Sequence, residues 1–182
     1  GILESSLNVY QLLDEILQWS LSQLGAVNVE MKTITLDPLI RETIHLMEES
    51  FSLKKLNIKH VLNENAVVMA DSNLTKTIIR NLLANAIKYT PDEGNIQIET
   101  RLFEGEFQLV ITDTGEGIPI KIKDVLFSEC VASKSGTKGE PGHGLGLSLC
   151  GEFARKQQGF LSLDKNYKDG TRLMLNFPKA NS

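Results

Sequence analysis

The 182-residue chain is 41% hydrophobic and 23% charged, the balance of a soluble globular protein long enough for one well-buried domain plus an appendage. Its 19 basic and 23 acidic residues leave a net charge of −4, which argues against a nucleic-acid binder driven by counterion release, and one Trp among few aromatics argues against base-stacking platforms. The two cysteines, Cys130 and Cys150, have neither metal nor disulfide spacing and read as reduced thiols, and no apolar run approaches the ~20 residues needed to span a bilayer.

Residues 4–25 carry Val9, Leu13, Leu17, Leu21 and Leu24 at helical spacing, widened by Leu12, Ile16 and Trp19 and stopped by Gly25. So apolar a stripe needs a second surface. That surface is either a partner helix, in a dimer or bundle, or the chain's own domain, and the pattern alone does not choose. Residues 27–36 alternate and are β-branched, predicting a strand. Asp37 as cap and Pro38 at the first position then predict a helix to about Leu56, burying Leu39, Ile40, Ile44, Met47 and Phe51. Two short strands, 57–62 and 66–71, follow, joined through "NENA". Ser72 opens a helix over 73–89. Residues 95–101 and 106–113 form a hairpin around Glu104 and Gly105. A short helix over 119–127 leads into a Gly/Ser/Lys-rich loop, 128–143, long enough to be a lid. A helix over 145–158 follows, and residues 160–166 and 171–178 close a second hairpin turned at Asp169 and Gly170. These strands, mostly antiparallel, with three helices of useful length predict an α+β fold. It is a two-layer α/β sandwich with a mixed, mostly antiparallel sheet packed on three helices, preceded by a long N-terminal helix.

Three clusters carry candidate chemistry. On the 73–89 helix, Thr77, Asn81, Asn85 and Lys88 share a line beside a broad apolar face. Two Asn one turn apart cost helix propensity without helping a core. Their amide oxygens suit a hard cation such as Mg²⁺, and Lys88 suits a phosphate; a solvated polar face is the competing reading. In "DTGEGIP", 113–119, Asp113 ends a strand and is followed by Gly115 and Gly117. A buried carboxylate there is an acceptor for an exocyclic amine such as adenine's, or simply part of an Asp-Gly turn. In "GEPGHGLGLSLC", 139–150, Gly142, Gly144 and Gly146 precede an apolar helix beginning near Leu145. Free N–H groups at a helix start can meet an anion, or the glycines serve only as a flexible hinge. The run fits neither a P-loop nor a dinucleotide fingerprint, since Leu147 stands where the latter needs Gly.

In order and together, these clusters resemble the catalytic, ATP-binding domain of two-component sensor histidine kinases. "NLLANAIKYT" resembles the N box, "DTGEGIP" the G1 box, "LFSEC" a partial F box, "GHGLGLSLC" the G2 box and "GTRLMLNFP" the terminal Gly-Thr element. The resemblance covers about 30–182. It implies a Bergerat-type fold, shared with Hsp90-like, gyrase and mismatch-repair ATPases. It implies residues 1–26 as part of a dimerisation and histidine-phosphotransfer domain, 27–182 as the ATP-binding domain and 119–142 as its lid, anchored by Phe127.

The same resemblance implies ATP and Mg²⁺ as cofactors. Asn85, assisted by Asn81, would hold Mg²⁺, and Lys88 would approach the phosphates. Tyr89 would pack on adenine, Asp113 would read its amine, Gly115 and Gly117 would keep the base pocket open, and Thr171 would lie near the base. Gly142, His143, Gly144, Leu145 and Gly146 would line the phosphates, with Lys134 and Lys138 adding cationic contacts. The hydrolytic relatives place a Glu where this chain has Asn81, so weak hydrolysis and transfer to a histidine are expected. The implied partners are a phosphotransfer helix of the same or a partner chain, a response regulator receiver domain and a second copy in a homodimer, with neither nucleic acid nor membrane contacted. The expected location is cytoplasmic. His45, His60 and His143 lack the setting of a phosphoacceptor, which is expected upstream of Gly1, and Cys130 stands where the F box commonly has a second aromatic. Competing readings are a nucleotide-sensing module without phosphotransfer and a chaperone- or topoisomerase-like ATPase, the latter disfavoured by Asn81.

Overall fold

The computed structural model describes Leu13, Ile16, Leu17 and Ser20 and residues 27–128, 136–139 and 144–178. The expected N-terminal helix lies outside these residues but for the first four, which are helical; Leu13, Ile16 and Leu17 are exposed. The strands are β1 (Lys32–Thr35), β2 (Asn57–Val61), β3 (Val67–Ala70), β4 (Asn95–Phe103), β5 (Glu106–Asp113), β6 (Phe160–Leu163) and β7 (Thr171–Asn176). The helices are α1 (Leu36–Leu46), α2 (Glu48–Leu53), α3 (Ser72–Tyr89) and α4 (Gly146–Lys156).

Five strands form one mixed sheet in the order β2-β4-β5-β7-β6, with β2 parallel to β4 and the other pairs antiparallel. The strands β1 and β3 pair separately, antiparallel. The expected two-layer α+β sandwich is therefore present, with helices packed on a mixed sheet. The strands either side of "NENA" belong to different sheets. Glu104 and Gly105 both have positive φ (51° and 83°), the geometry of a tight hairpin turn whose twist matches its strands. Alternation puts Ile96, Ile98, Leu109, Ile111, Leu173 and Leu175 on one face of the sheet. There they meet Ile78, Ile79, Leu82 and Leu83 of α3 and Leu149 and Phe153 of α4 in one core. Each such side chain contributes about 1.5–3 kcal/mol by leaving water.

Several boundaries move. The helix expected from Asp37 begins at Leu36 and breaks at Met47, separating α1 from α2. Asp37 makes no cap; it is one turn before Arg41 and takes its Nε at 3.0 and 2.9 Å. The helix α3 is capped by Asp71, one residue before the expected start, whose Oδ1 accepts from the N–H groups of Asn73 and Leu74 at 2.9 and 3.0 Å. The expected helix over 119–127 is a short 3-10 turn, Ile120–Ile122. β6 ends at Leu163, and the 164–170 connection is organised by Asp164, which accepts from the N–H groups of Asn166 and Tyr167.

Candidate functional site

The polar stripe of α3, the C-terminal end of β5 and the N-terminal end of α4 converge. Burying Leu82, Leu83, Ala86 and Ile87 turns Asn81, Asn85, Lys88 and Tyr89 to the half-buried rim of α3. Asn81 Nδ2 donates to Thr77 O at 2.9 Å, one turn back, which fixes the amide. A Cβ on Gly146 would stand 3.5 Å from Asn81 Oδ1, so the first residue of α4 faces that oxygen directly. Unlike α3, α4 has no side-chain cap at its start. Its first N–H groups are of the kind no helix satisfies internally, and Gly146 carries one of them. Gly144 precedes them with φ +73°, a conformation that favours glycine.

The other end of α3 meets the end of β5 and the turn after it. Gly115 sits so close that a Cβ would be 2.6 Å from Tyr89 O and 2.8 Å from Asp113 Oδ1. Gly117, with φ +75°, backs onto Gly170 O at 3.1 Å from its would-be Cβ. Asp113 is only 6% exposed and pairs with Thr171 across β5 and β7. Its Oδ1 accepts from the N–H groups of Gly115 at 2.8 Å and Thr171 at 3.3 Å. Burial nevertheless pushes its carboxyl up to about 6, those backbone bonds and a bond with the Thr171 side chain opposing the rise. A buried carboxylate held by fixed donors is a strong acceptor for one further N–H from a ligand.

The structure thus brings Tyr89, Asp113, Gly115, Gly117 and Thr171 together, and Asn81 together with Gly146. Asn85 lies one turn from Asn81 and one from Tyr89. Lys88 Nζ lies 4.9 Å from the centre of the Tyr89 ring. Lys138 Nζ is placed on Leu53 O at 3.1 Å and Asp92 Oδ1 at 3.2 Å. Leu145 is half-buried at the head of α4. Lys134, Gly142, His143 and Cys130 lie outside the described residues. Phe127 is half-buried against the core, and its carbonyl is held between Gly151, whose would-be Cβ is 2.3 Å away, and Arg155 Nη1 at 3.3 Å.

Sequence reasoning missed Gly170 and Lys54. Gly170 registered only as a turn residue, yet a Cβ there would fall 1.9 Å from Asp113 O. Lys54 is a buried lysine bonded to the last turn of α3, and nothing in "LKKL" separates it from its exposed neighbour Lys55.

Among the described residues no group of three His, Cys, Asp or Glu is placed to hold a metal. Residues 70–181 match the family described as histidine kinase-, DNA gyrase B-, and HSP90-like ATPase.

The chain belongs to this ATPase family. Membership supports ATP binding. The adaptive-response sensory kinase SasA of Gloeothece citriformis is 35% identical over 170 residues, covering 92% of this chain and 43% of the relative. The chain therefore spans less than half the length of this curated relative. Among solved structures, the catalytic domain of histidine kinase ThkA, nucleotide free, matches with a TM-score of 0.72 at 28% identity over 82% of this chain and 98% of that one. ThkA in complex with response regulator protein TrrA matches at 0.77 and 24% identity over 98% of this chain and 49% of that one, a likeness of fold. Within the ATPase family the chain is thus close to the catalytic domains of sensor histidine kinases, and its fold is the Bergerat fold. Among the described residues no helix is long and apolar enough to cross a membrane.

Proposed function

We propose that this chain is the ATP-binding half of a protein-histidine kinase. It would transfer the γ-phosphoryl group of ATP to a histidine on a phosphotransfer helix of the same or a partner chain, for relay to a response-regulator aspartate. One observation carries the reading: α3 sets Asn81 against Gly146 near its middle and Tyr89 against Gly115 at its end. One rigid element thereby spans a phosphate side and a base side.

On the base side, Asp113 accepts the adenine amine while Gly115 and Gly117 leave room for the ring and Tyr89 covers it. On the phosphate side, the uncapped head of α4 with Gly144, Leu145 and Gly146 offers backbone N–H groups, Lys88 offers charge, and Asn81 and Asn85 offer oxygens. Those oxygens suit Mg²⁺, which would supply positive charge against the negative charge of the phosphates. Phosphoryl transfer asks a protein for positioning and electrostatics rather than covalent chemistry, and this residue set supplies both. An amide cannot take a proton from water, so Asn81 favours transfer over hydrolysis. Residues 27–182 would form the catalytic domain with its lid at 119–142, and 1–26 part of the dimerisation domain of a cytoplasmic homodimer. ThkA is described in complex with a response regulator, which supports a receiver-domain partner here.

Labelled ATP supplied to a longer chain carrying an upstream phosphotransfer helix tests the reading. Acid-labile, base-stable label on histidine is expected, with slow release of free phosphate. Nucleotide binding without label would reassign the chain as a nucleotide-sensing module.

A further inference from the structure

Lys54 follows the last turn of α2 and is only 3% exposed. A buried ammonium is costly unless its donors are met. Its Nζ donates to Ile87 O at 2.8 Å, Lys88 O at 3.0 Å and Thr137 Oγ1 at 2.6 Å. The two carbonyls end α3, where acceptors lack helical partners and the dipole favours a cation. A lysine acting only as a helix cap would stop there. The third acceptor lies 83 positions away, in the connection between β5 and α4.

Further bonds hold the same piece of that connection. Thr137 N–H donates to Lys88 O at 3.1 Å, and its hydroxyl lies 3.3 Å from both Lys88 O and Thr90 O. Lys138 Nζ reaches Leu53 O and Asp92. Glu93 N–H donates to Lys54 O at 2.9 Å, which brings the 91–94 turn into the junction. Residues 136–139 are therefore seated on the ends of α2 and α3, with Lys54 as the buried centre. The turn of α3 that Lys54 holds is the one from which Lys88 and Tyr89 project, and Tyr89 O presses on Gly115.

We propose that Lys54, acting through Thr137, is a positioning residue for nucleotide binding. It ties residues 136–139 and the helix end bearing Lys88 and Tyr89 into one unit, so that the pocket is ordered before nucleotide arrives. This rests on the ATP-binding reading above. Pre-ordering lowers the entropy that binding must otherwise remove.

The test uses the 182-residue chain and its Thr137→Val, Thr137→Ser and Lys54→Met variants, with MgADP titration, amide hydrogen exchange and thermal melting. Thr137→Val removes the acceptor at nearly constant shape and leaves the Lys54 bonds to α3. It should speed exchange of the Thr137 amide about tenfold and weaken MgADP about five- to tenfold. Thr137→Ser, which keeps the hydroxyl, should restore both. Lys54→Met should show the same pair of effects with a lowered melting temperature. Wild-type exchange and affinity in Thr137→Val, or a Ser variant as impaired as Val, overturns the proposal while leaving the ATP-binding reading intact. A wild-type chain that does not bind MgADP overturns both.

Discussion

Thr171 stands opposite Asp113 in the β5–β7 register and donates its N–H to the Asp113 carboxylate at 3.3 Å. The pairing joins the end of one strand to the start of another through the tightest approach in the site, Gly170 against Asp113 O. A buried acid held this way adds little to folding. Burial raises its carboxyl to about 6, so above that pH the chain keeps a charge where water is scarce. Its value lies in what it can accept.

Asp113→Asn should therefore stabilise the chain in a pH-dependent manner. At pH well below 4 the group is protonated in both folded and unfolded states. Between about 4 and 6 the folded chain holds a proton that the unfolded chain has released. Wild-type stability from this group thus falls as pH rises through that window, and the loss is complete above about 6. The amide keeps an oxygen for Gly115 and Thr171. Urea unfolding should show the variant gaining on wild type from pH 4 to 7, by about 1–3 kcal/mol at the top. A constant difference across that range would contradict the assignment.

Gly115→Ala and Gly170→Ala should separate space from conformation. At Gly115 the new methyl meets Tyr89 O and Asp113 Oδ1, so nucleotide binding should be lost with moderate destabilisation, about 1–3 kcal/mol. At Gly170 a Cβ 1.9 Å from Asp113 O and a φ of +143° admit no accommodation without moving β7. That variant should lose more stability than Gly115→Ala. Paired melting and titration curves check both.

Gly151→Ala offers a reversal of sign. In an exposed helix interior, Ala is favoured over Gly by about 0.8–1.0 kcal/mol. Here the methyl would fall 2.3 Å from Phe127 O, so destabilisation of about 1–3 kcal/mol is expected, with weaker protection of amides around Phe127. A stabilised variant would show that Phe127 is not anchored on α4.

Asn85→Ala should leave the fold intact, because the side chain is only half-buried on the polar rim of α3. Its effect should appear as a loss of Mg²⁺ dependence: nucleotide affinity measured with Mg²⁺ should drop to the metal-free value of the wild type. An unchanged Mg²⁺ dependence would remove Asn85 from the cation site.

Much of this site was legible from residue spacing. A helix repeat fixes which face Asn81 and Asn85 share once the apolar face is known, and a strand end followed by glycines marks where Asp113 must stop being sheet. Strand partners were less legible: "NIKHV" and "VVMA" are similar β-branched runs, and only tertiary placement sends one to β4 and the other to β1. Asp71 and Ser72 are both good caps, and Asp71 wins because its second oxygen also takes the Glu30 N–H at 2.7 Å, a contact between residues 41 positions apart. Lys54 was invisible for the same reason, since its partners lie 33 to 83 residues away.

The central claim is that Asp113 reads an adenine nucleotide. Calorimetric titration of the 182-residue chain with MgADP and with MgGDP, in wild type and Asp113→Asn, tests it most directly. A carboxylate there meets an amine at position 6 of adenine and a carbonyl oxygen at the same position of guanine. Saturable one-to-one binding of MgADP, little of MgGDP, and at least a tenfold loss for MgADP in the variant are expected. Equal binding of the two bases, or MgADP affinity unchanged by Asp113→Asn, would contradict the account.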